Sequence, residues 1–599
     1  MVADPDLPID LIVGDLTVTL DGIDLRDIRH RSTEVVRRVY PVFQDRNWTN
    51  RPWRIASRHV EQIEDGWRVT GSGTGSFDAA HLDWEVQATI TSTAVDYRFH
   101  ATAREPFLRN RLGLCLLHPM SVAGLPCTVL QTDDGVVESQ FPRDLSPHQP
   151  FIDMRQISHR TPDALVTVSF TGEVFEMEDH RNWSDASYKT YCTPITEPFP
   201  VEVQPGDAIV QSIVISIATR GQERSETEAR PWSGATTPGD HSAAPVVIDV
   251  TDSRYPRPGV GLGLPKGQPA LAPGQAAVLR TLNLDHLRVE LDLNDGTAAT
   301  TLLEAVTSAR RAGTRLRVAA FAQGIVDLQA LADMADGVEG ARDLVDCWYV
   351  FSDHDKVTPG EWGDHARLAL GPEAVVGGGT NLYYTELNRE HPDSARFDVI
   401  NFSMNPQVHA FDDRTLIQNA VTQQLIAEDS LRLSGGKGVS VSPITLRPRF
   451  NPNATDPESD VSNTHLPSHV DARQDTSFAA AWLATSLKYL SAARTIDTVT
   501  YFDTDGPTGV MDDQDPFPAF DVLVAIAGRP DAVTCSSSEP ERVEALIVAG
   551  PDDIRALLAN YSSVDRAVRL QGRAMPEPLD ATALASCVTV IPITQHFHH

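Results

Sequence analysis

The chain is poor in cysteine, with six in 599 residues, at 115, 127, 192, 347, 535 and 587. No two of them share a CxxC spacing, which argues against a disulfide framework or a cysteine-built metal centre and for buried, reduced thiols. Long apolar runs are missing as well. No segment reaches the ~18 apolar residues of a membrane span, and the start, MVADPDLPIDLIVGD, has no basic leader with an apolar stretch behind it. The reading is a cytoplasmic protein. Positive charge is in deficit, at 50 Lys and Arg against 82 Asp and Glu, for a net charge of −32. Such a surface repels nucleic acid and anionic membranes, so neither is expected as a partner. The familiar chemical signatures GxSxG, HExxH and the P-loop pattern are not found, which speaks against an ordinary serine esterase, a zinc protease and an NTPase.

What is present is enough apolar residue, 41%, to fill several cores. Residues 1–248 alternate at period two, as in Leu16–Leu20, Asp83–Ile90, Ala94–Phe99, Leu165–Phe170 and Ile209–Ile215. β-Branched residues dominate these runs, and helical periodicity is scarce, so the block reads as an antiparallel β-sandwich. Residues 221–247 are rich in Ser, Thr, Gly and Pro and read as a linker or long surface connection.

From about 257 the pattern turns to strand and helix in alternation. Eight strands are expected, at 259–265, 287–293, 316–321, 346–352, 374–384, 398–404, 438–446 and 498–502. Helices are expected at 274–282, 298–312, 328–335, 413–430 and 477–491. That count and length match a TIM (β/α)8 barrel over 249–530. A doubly wound open sheet is the alternative, but no GxGxxG opens the first βα turn. A helix is expected at 517–528, and residues 531–599 return to strands as a small C-terminal β-sandwich. The final His596, Phe597, His598 and His599 are assigned no role.

A barrel places its chemistry at the C-terminal ends of its strands, and this filter selects the candidates. Strand two carries Arg288, Glu290 and Asp292 on one face, either an inward ion-pair network or part of a site. Strand four runs into Asp353-His354-Asp355, a loop cap or a metal ligand pair. Strand five leads to Asn381, Tyr384, Glu386, Asn388 and Arg389, which suit a hydroxylated ligand, with Glu386 the best acid or base. Beyond strand six, Asn405, Gln407 and His409 share a parity, and His409 can titrate near neutral pH. Beyond strand seven, Arg447 and Arg449 can clamp a carboxylate or polarised carbonyl. Asp503 ends strand eight, and two carboxyl groups in one mouth can divide acid and base roles. Outside the barrel, residues 175–191 (FEMEDHRNWSDASYKTY) hold four acids and four aromatics in seventeen residues, poor material for a core and good material for recognising a polar molecule.

That stretch, with NRLGLCLLHP at 110–119, GGGTNLYYTELNR at 377–389, SMNPQVHAFDD at 403–413, PITLRPRFNP at 443–452 and TYFDTDG at 500–506, resembles the D-apionate lactonase family. The likeness spans nearly the whole chain. It implies hydrolysis of D-apionolactone to D-apionate in breakdown of D-apiose; no cofactor and no metal ligand are assigned, and metal dependence is not legible in the sequence. One departure is Asp503, where relatives are expected to carry Glu; its carboxylate sits back by roughly 1.5 Å, about one C–C bond. On this reading Glu386 or His409 is the base, and Arg447 or Arg449 with Asn405 stabilises the oxyanion. Asn381, Tyr384 and Asp503 bind hydroxyls, Asp292 and Gln407 complete the lining, and Glu178, Arg181, Asn182, Trp183 and Lys189 touch substrate from the β domain. A glycoside hydrolase using Glu386 and Asp503, and a non-catalytic carbohydrate-binding protein, are the alternatives. The substrate is a small carbohydrate or sugar lactone in every case, and oligomeric state is not legible.

Overall fold

The computed structural model describes residues 8–77, 80–219, 244–450 and 467–594. The expected linker at 221–247 and the terminal histidines at 596–599 fall wholly or largely outside these residues. The described residues divide into two compact units: those of 8–181 and 186–219, and those of 182–185, 244–450 and 467–594.

In the first unit seventeen strands form one continuous hydrogen-bonded network. Its pairings are antiparallel, such as Gly66–Phe77 with Ala80–Thr91 and Thr33–Asp45 with Phe107–Pro119. Alternation dictates the inward face: along Ala94–Ala103, Val95, Tyr97, Phe99, Ala101 and Ala103 are buried and the residues between them reach solvent. Tight turns set the register. Val13 faces Leu16 across a two-residue turn whose Gly14 sits at φ +58°, a left-handed conformation that glycine adopts without a Cβ penalty. Aromatic rings contribute to this core, where partly buried Trp53 packs edge-on against Trp84 and Phe99, and the Tyr97 hydroxyl donates to the Ile23 carbonyl at 2.9 Å.

The acidic aromatic stretch forms strands within this network. Phe175–Glu178 pairs with Ser187–Tyr191, setting Glu178 opposite Lys189, and Lys189 Nζ donates to Glu178 Oε1 at 3.0 Å. Arg181, only 1% exposed, makes two 2.7 Å bonds to Asp179 and also donates to the carbonyls of Pro142, Arg143 and Asp144. The polarity that looked unsuited to a core is therefore buried as a satisfied ion pair.

The second unit is built on a closed parallel barrel of eight strands. They are β1 (Gly259–Gly263), β2 (His286–Asp292), β3 (Arg315–Ala322), β4 (Val345–Ser352), β5 (Val376–Tyr383), β6 (Val399–Met404), β7 (Gly438–Ile444) and β8 (Thr498–Asp503). β1 pairs with β8 and closes the ring. All eight expected strands are found, and the open-sheet alternative is excluded by the closure. The expected helix at 413–430 is two helices, Asp413–Asn419 and Thr422–Ser434. Helices Gly360–Leu370 and Tyr384–Glu390 were not expected. The barrel interior fits large side chains against glycines: a Cβ on Gly377 would lie 2.3 Å from a carbon of the Tyr349 ring.

A seven-stranded sheet completes this unit, in the order Leu579–Ala583, Arg566–Gln571, Val246–Pro256, Asp531–Ser537, Val543–Ala549, Ile554–Asn560, Cys587–Pro592. Strand Val246–Pro256 precedes the barrel in sequence, on the stretch divided above between the first and second blocks. Glu544 from this sheet takes bonds from Lys488 Nζ at 2.9 Å and Tyr489 Oη at 2.7 Å, anchoring helix Ser477–Ala493. No helix among the described residues is long and apolar enough to cross a membrane.

Gly377→Ala is expected to overpack the barrel and destabilise the protein by about 1–3 kcal/mol. The check is the denaturation midpoint beside that of a Gly→Ala change at exposed Gly296, where a Cβ would meet nothing.

Candidate active site

β2 projects Arg288 and Glu290 from one face because they are two residues apart on a strand. Arg288 Nη1 donates to Glu290 Oε1 at 2.6 Å, and its Nη2 donates to Asn381 Oδ1, from β5, at 2.8 Å. Arg449, five residues past the end of β7, places Nη2 2.5 Å from the same Glu290 oxygen and Nη1 3.4 Å from Asn381 Oδ1. One carboxylate and one amide oxygen thus hold two guanidinium groups at the mouth, with the Glu290 side chain a quarter exposed. Burial opposes ionisation of Glu290, but Arg449 and Arg288 outweigh it and hold its pKa down at about 2. Of the two possibilities left open for Arg288 and Glu290, the ion-pair network is present.

Asp503 is set beside this network by an irregularity at the end of β8. Leu262 pairs with Tyr501 and Gly263 with Asp503, so Phe502 is the extra residue, at φ +44°. The Asp503 carboxylate fits only because position 263 lacks a side chain; a Cβ there would lie 2.5 Å from Asp503 Oδ1. Thr508 Oγ1 donates to Asp503 Oδ2 at 2.5 Å. Burial raises the Asp503 pKa, with Thr508, Arg449 and Arg288 pulling it down and Glu290 pushing it up.

Glu386 is the third residue of helix Tyr384–Glu390, which begins directly where β5 ends. It is 2% exposed, and the backbone N–H groups of Glu386 and Tyr383 face its carboxylate, as suits an acid in a helix's first turn. Burial raises its pKa against the pull of Lys356 and Arg389, and its Oε2 has no partner among the described residues. Tyr384 differs from expectation, as its hydroxyl donates to Asp429 and its ring packs edge-on against Phe402. The neighbouring Tyr383 lies closer to the network: its ring stacks on Phe450, and Arg449 and Glu386 both act on its hydroxyl.

Beyond β6, Asn405 is buried, with Oδ1 accepting from Gln407 N at 3.1 Å and Nδ2 unpartnered among the described residues. Gln407 is fully buried and donates to Asp471 at 2.7 Å, where Arg473 and Arg447 also converge. The Gln407 amide is thus held by Asp471 and the Leu446 carbonyl, and Arg447 is tied to Asp471. Asp292 is exposed and caps its own turn through Asn294 N at 2.9 Å.

His409 donates or accepts through Nδ1 at 2.6 Å from Asp185 Oδ2, and Trp183 meets its ring edge-on at 5.6 Å. Asn182, also in this unit, accepts from Thr385 Oγ1 and Asn388 Nδ2 at 2.8 Å each, and Arg389 lies over the Trp183 ring. Asp185 was not singled out in the sequence, where the only signal was its place in the acidic aromatic stretch. Glu178, Arg181 and Lys189 belong to the first unit, where each is ion-paired as described above.

Comparison with known proteins matches residues 3–220 to the family model "D-apionate lactonase, N-terminal domain" and 260–531 to "D-apionate lactonase, TIM barrel domain". The chain belongs to the D-apionate lactonase family. A D-apionate lactonase from Brucella anthropi is 29% identical over 527 residues, covering 84% of this chain and 83% of the relative. Among solved structures, a glycoside hydrolase family 30 endoxylanase from Clostridium papyrosolvens C71 aligns with TM-score 0.42 and 10% identity over 58% of this chain and 99% of its own. A family 51 α-L-arabinofuranosidase from Bifidobacterium longum aligns with TM-score 0.42 and 11% identity over 59% and 99%. Likeness at that level carries no argument about chemistry.

Because its pKa is lowered, Glu290 contributes stability above about pH 4.5, the ordinary value, and loses it as pH falls toward about 2. Glu290→Gln is expected to cost about 3 kcal/mol at neutral pH. The gap to wild type, read from urea denaturation, is expected to narrow as pH drops through that window.

Proposed function

We propose that this protein hydrolyses a sugar lactone, D-apionolactone, to the open-chain acid in D-apiose catabolism. One observation carries the reading. In a chain of the D-apionate lactonase family, the ends of adjacent strands β5 and β6 present a buried carboxyl, Glu386, and a buried amide, Asn405, each with one polar atom unpartnered among the described residues. Buried polar atoms left unpaired are costly and call for a partner, which a bound substrate supplies.

A lactone needs a base for water, a donor for the developing oxyanion and an acid for the ring oxygen. His409, held by Asp185, is the base in this scheme. As the water oxygen bonds to the lactone carbonyl carbon, His409 takes its proton, and Asn405 Nδ2 donates to the oxyanion. The bond from carbonyl carbon to ring oxygen then breaks, and that oxygen takes a proton from Glu386, which burial favours in its protonated form. The carboxylic acid product returns a proton to Glu386 and leaves as a carboxylate, and the histidine's proton passes to solvent. Arg449, Asn381 and Asp503 bind hydroxyl groups around Glu290. Six thiols without a disulfide support a cytoplasmic setting, and the charge of −32 supports a small-molecule partner rather than nucleic acid.

The test is a panel of D-apionolactone, other aldonolactones and aryl glycosides, each with and without chelator. Lactone turnover without glycoside turnover is expected. His409→Ala and Glu386→Gln are each expected to lower kcat on the lactone by about 10²-fold or more, and Asn405→Ala by a similar factor. Rates near wild type in all three variants, or turnover of glycosides alone, contradict the proposal.

A further inference from the structure

We propose that Asp185 is a positioning residue for His409 and sets which of its nitrogens is basic. The inference deepens the reading of His409 as the base and rests on it. The Asp185 carboxylate reaches the ring at 2.6 Å through Oδ2, and its Oδ1 accepts from Asn419 Nδ2 at 2.8 Å. Both side chains are largely buried, 6% and 14% exposed for Asp185 and His409. An ionised carboxylate only accepts, so the proton of the neutral imidazole lies on Nδ1, and Nε2 carries the lone pair. An imidazole whose far nitrogen is to take a proton from water requires that tautomer, and a carboxylate behind it stabilises the imidazolium that forms.

The placement is built from two directions. Asn419 ends helix Asp413–Asn419, whose first turn Asp412 caps through Thr415 N, so the amide that orients Asp185 is fixed by a short, capped helix. On the other side, residues 182–185 are held to helix Tyr384–Glu390 by the Asn182 bonds to Thr385 and Asn388. Trp183 packs on His409 and leaves the ring little room to turn. The carboxylate therefore comes from a four-residue segment that lies 224 positions from the histidine in sequence yet counts with the barrel unit.

The experiment is Asp185→Asn in the full chain, compared with His409→Ala and Asn419→Ala. An amide at 185 can donate to Nδ1 and so favour the opposite tautomer. The expected result is a kcat on D-apionolactone lowered about 10²-fold with KM changed less than about threefold. The 15N signal assigned to His409, by its loss in His409→Ala, is expected to switch from an Nδ1–H to an Nε2–H ring. Asn419→Ala keeps the carboxylate and is expected to lower kcat by several-fold, which holds the test open if Asp185→Asn fails to fold. An inactive His409→Ala beside an Asp185→Asn enzyme of wild-type kcat and unchanged tautomer overturns this inference alone. A His409→Ala enzyme of wild-type rate overturns both this inference and the reading of His409 as the base.

Discussion

One carboxylate caught between two guanidinium groups ties three parts of the barrel mouth together. Glu290 holds Arg288 from its own strand and Arg449 from the segment after β7, and Asn381 of β5 takes the remaining reach of both. Charges withdrawn from water are costly, and attraction offsets that cost only when partners and hydrogen bonds are complete. The network draws its partners from three separate parts of the barrel and leaves Arg288 Nε unpartnered among the described residues. It also sets the field in which Asp503 lies, with the arginines favouring its charge and Glu290 opposing it. A carboxylate fixed as charged beside acids that burial keeps closer to neutral is an arrangement in which roles can be divided.

Glycine makes room for this chemistry. At position 263 a side chain would collide with Asp503, and at 377 with Tyr349. Small residues on β1 and β5 thus let large polar groups from other strands fill the interior. The polar stretch at 175–191 follows the opposite logic. Its acids and bases are paired inside the β unit, Asp179 with Arg181 and Glu178 with Lys189, while its middle four residues count with the barrel unit and bring Asp185 to His409.

Much of the fold was legible because its signals are local. Period-two alternation and short β-branched runs located all eight barrel strands, and strand spacing implied closure. Helix Gly360–Leu370 escaped notice because Gly363 interrupts it; a side chain there would run into the Arg396 carbonyl, so packing required a residue that weakens the helical pattern. Helix Tyr384–Glu390 follows β5 with no intervening loop, where the strand was expected to run on to Tyr384; the turn into the helix leaves Tyr383 beside Arg449 and sends Tyr384 to Asp429. The strand-end filter did bring Asn381, Arg449, Asp503 and Glu386 to the mouth. It could not find Asp185, since no local pattern records a partner 224 residues away.

The proposed function turns on attack of water at a lactone carbonyl in this mouth. The measurement that bears on it is single-turnover hydrolysis of D-apionolactone in 18O-labelled water, with the product analysed by mass spectrometry. One labelled oxygen is expected in the carboxylate and none in the hydroxyl released from the ring. A label on that hydroxyl, or no hydrolysis of the lactone at all, would contradict it.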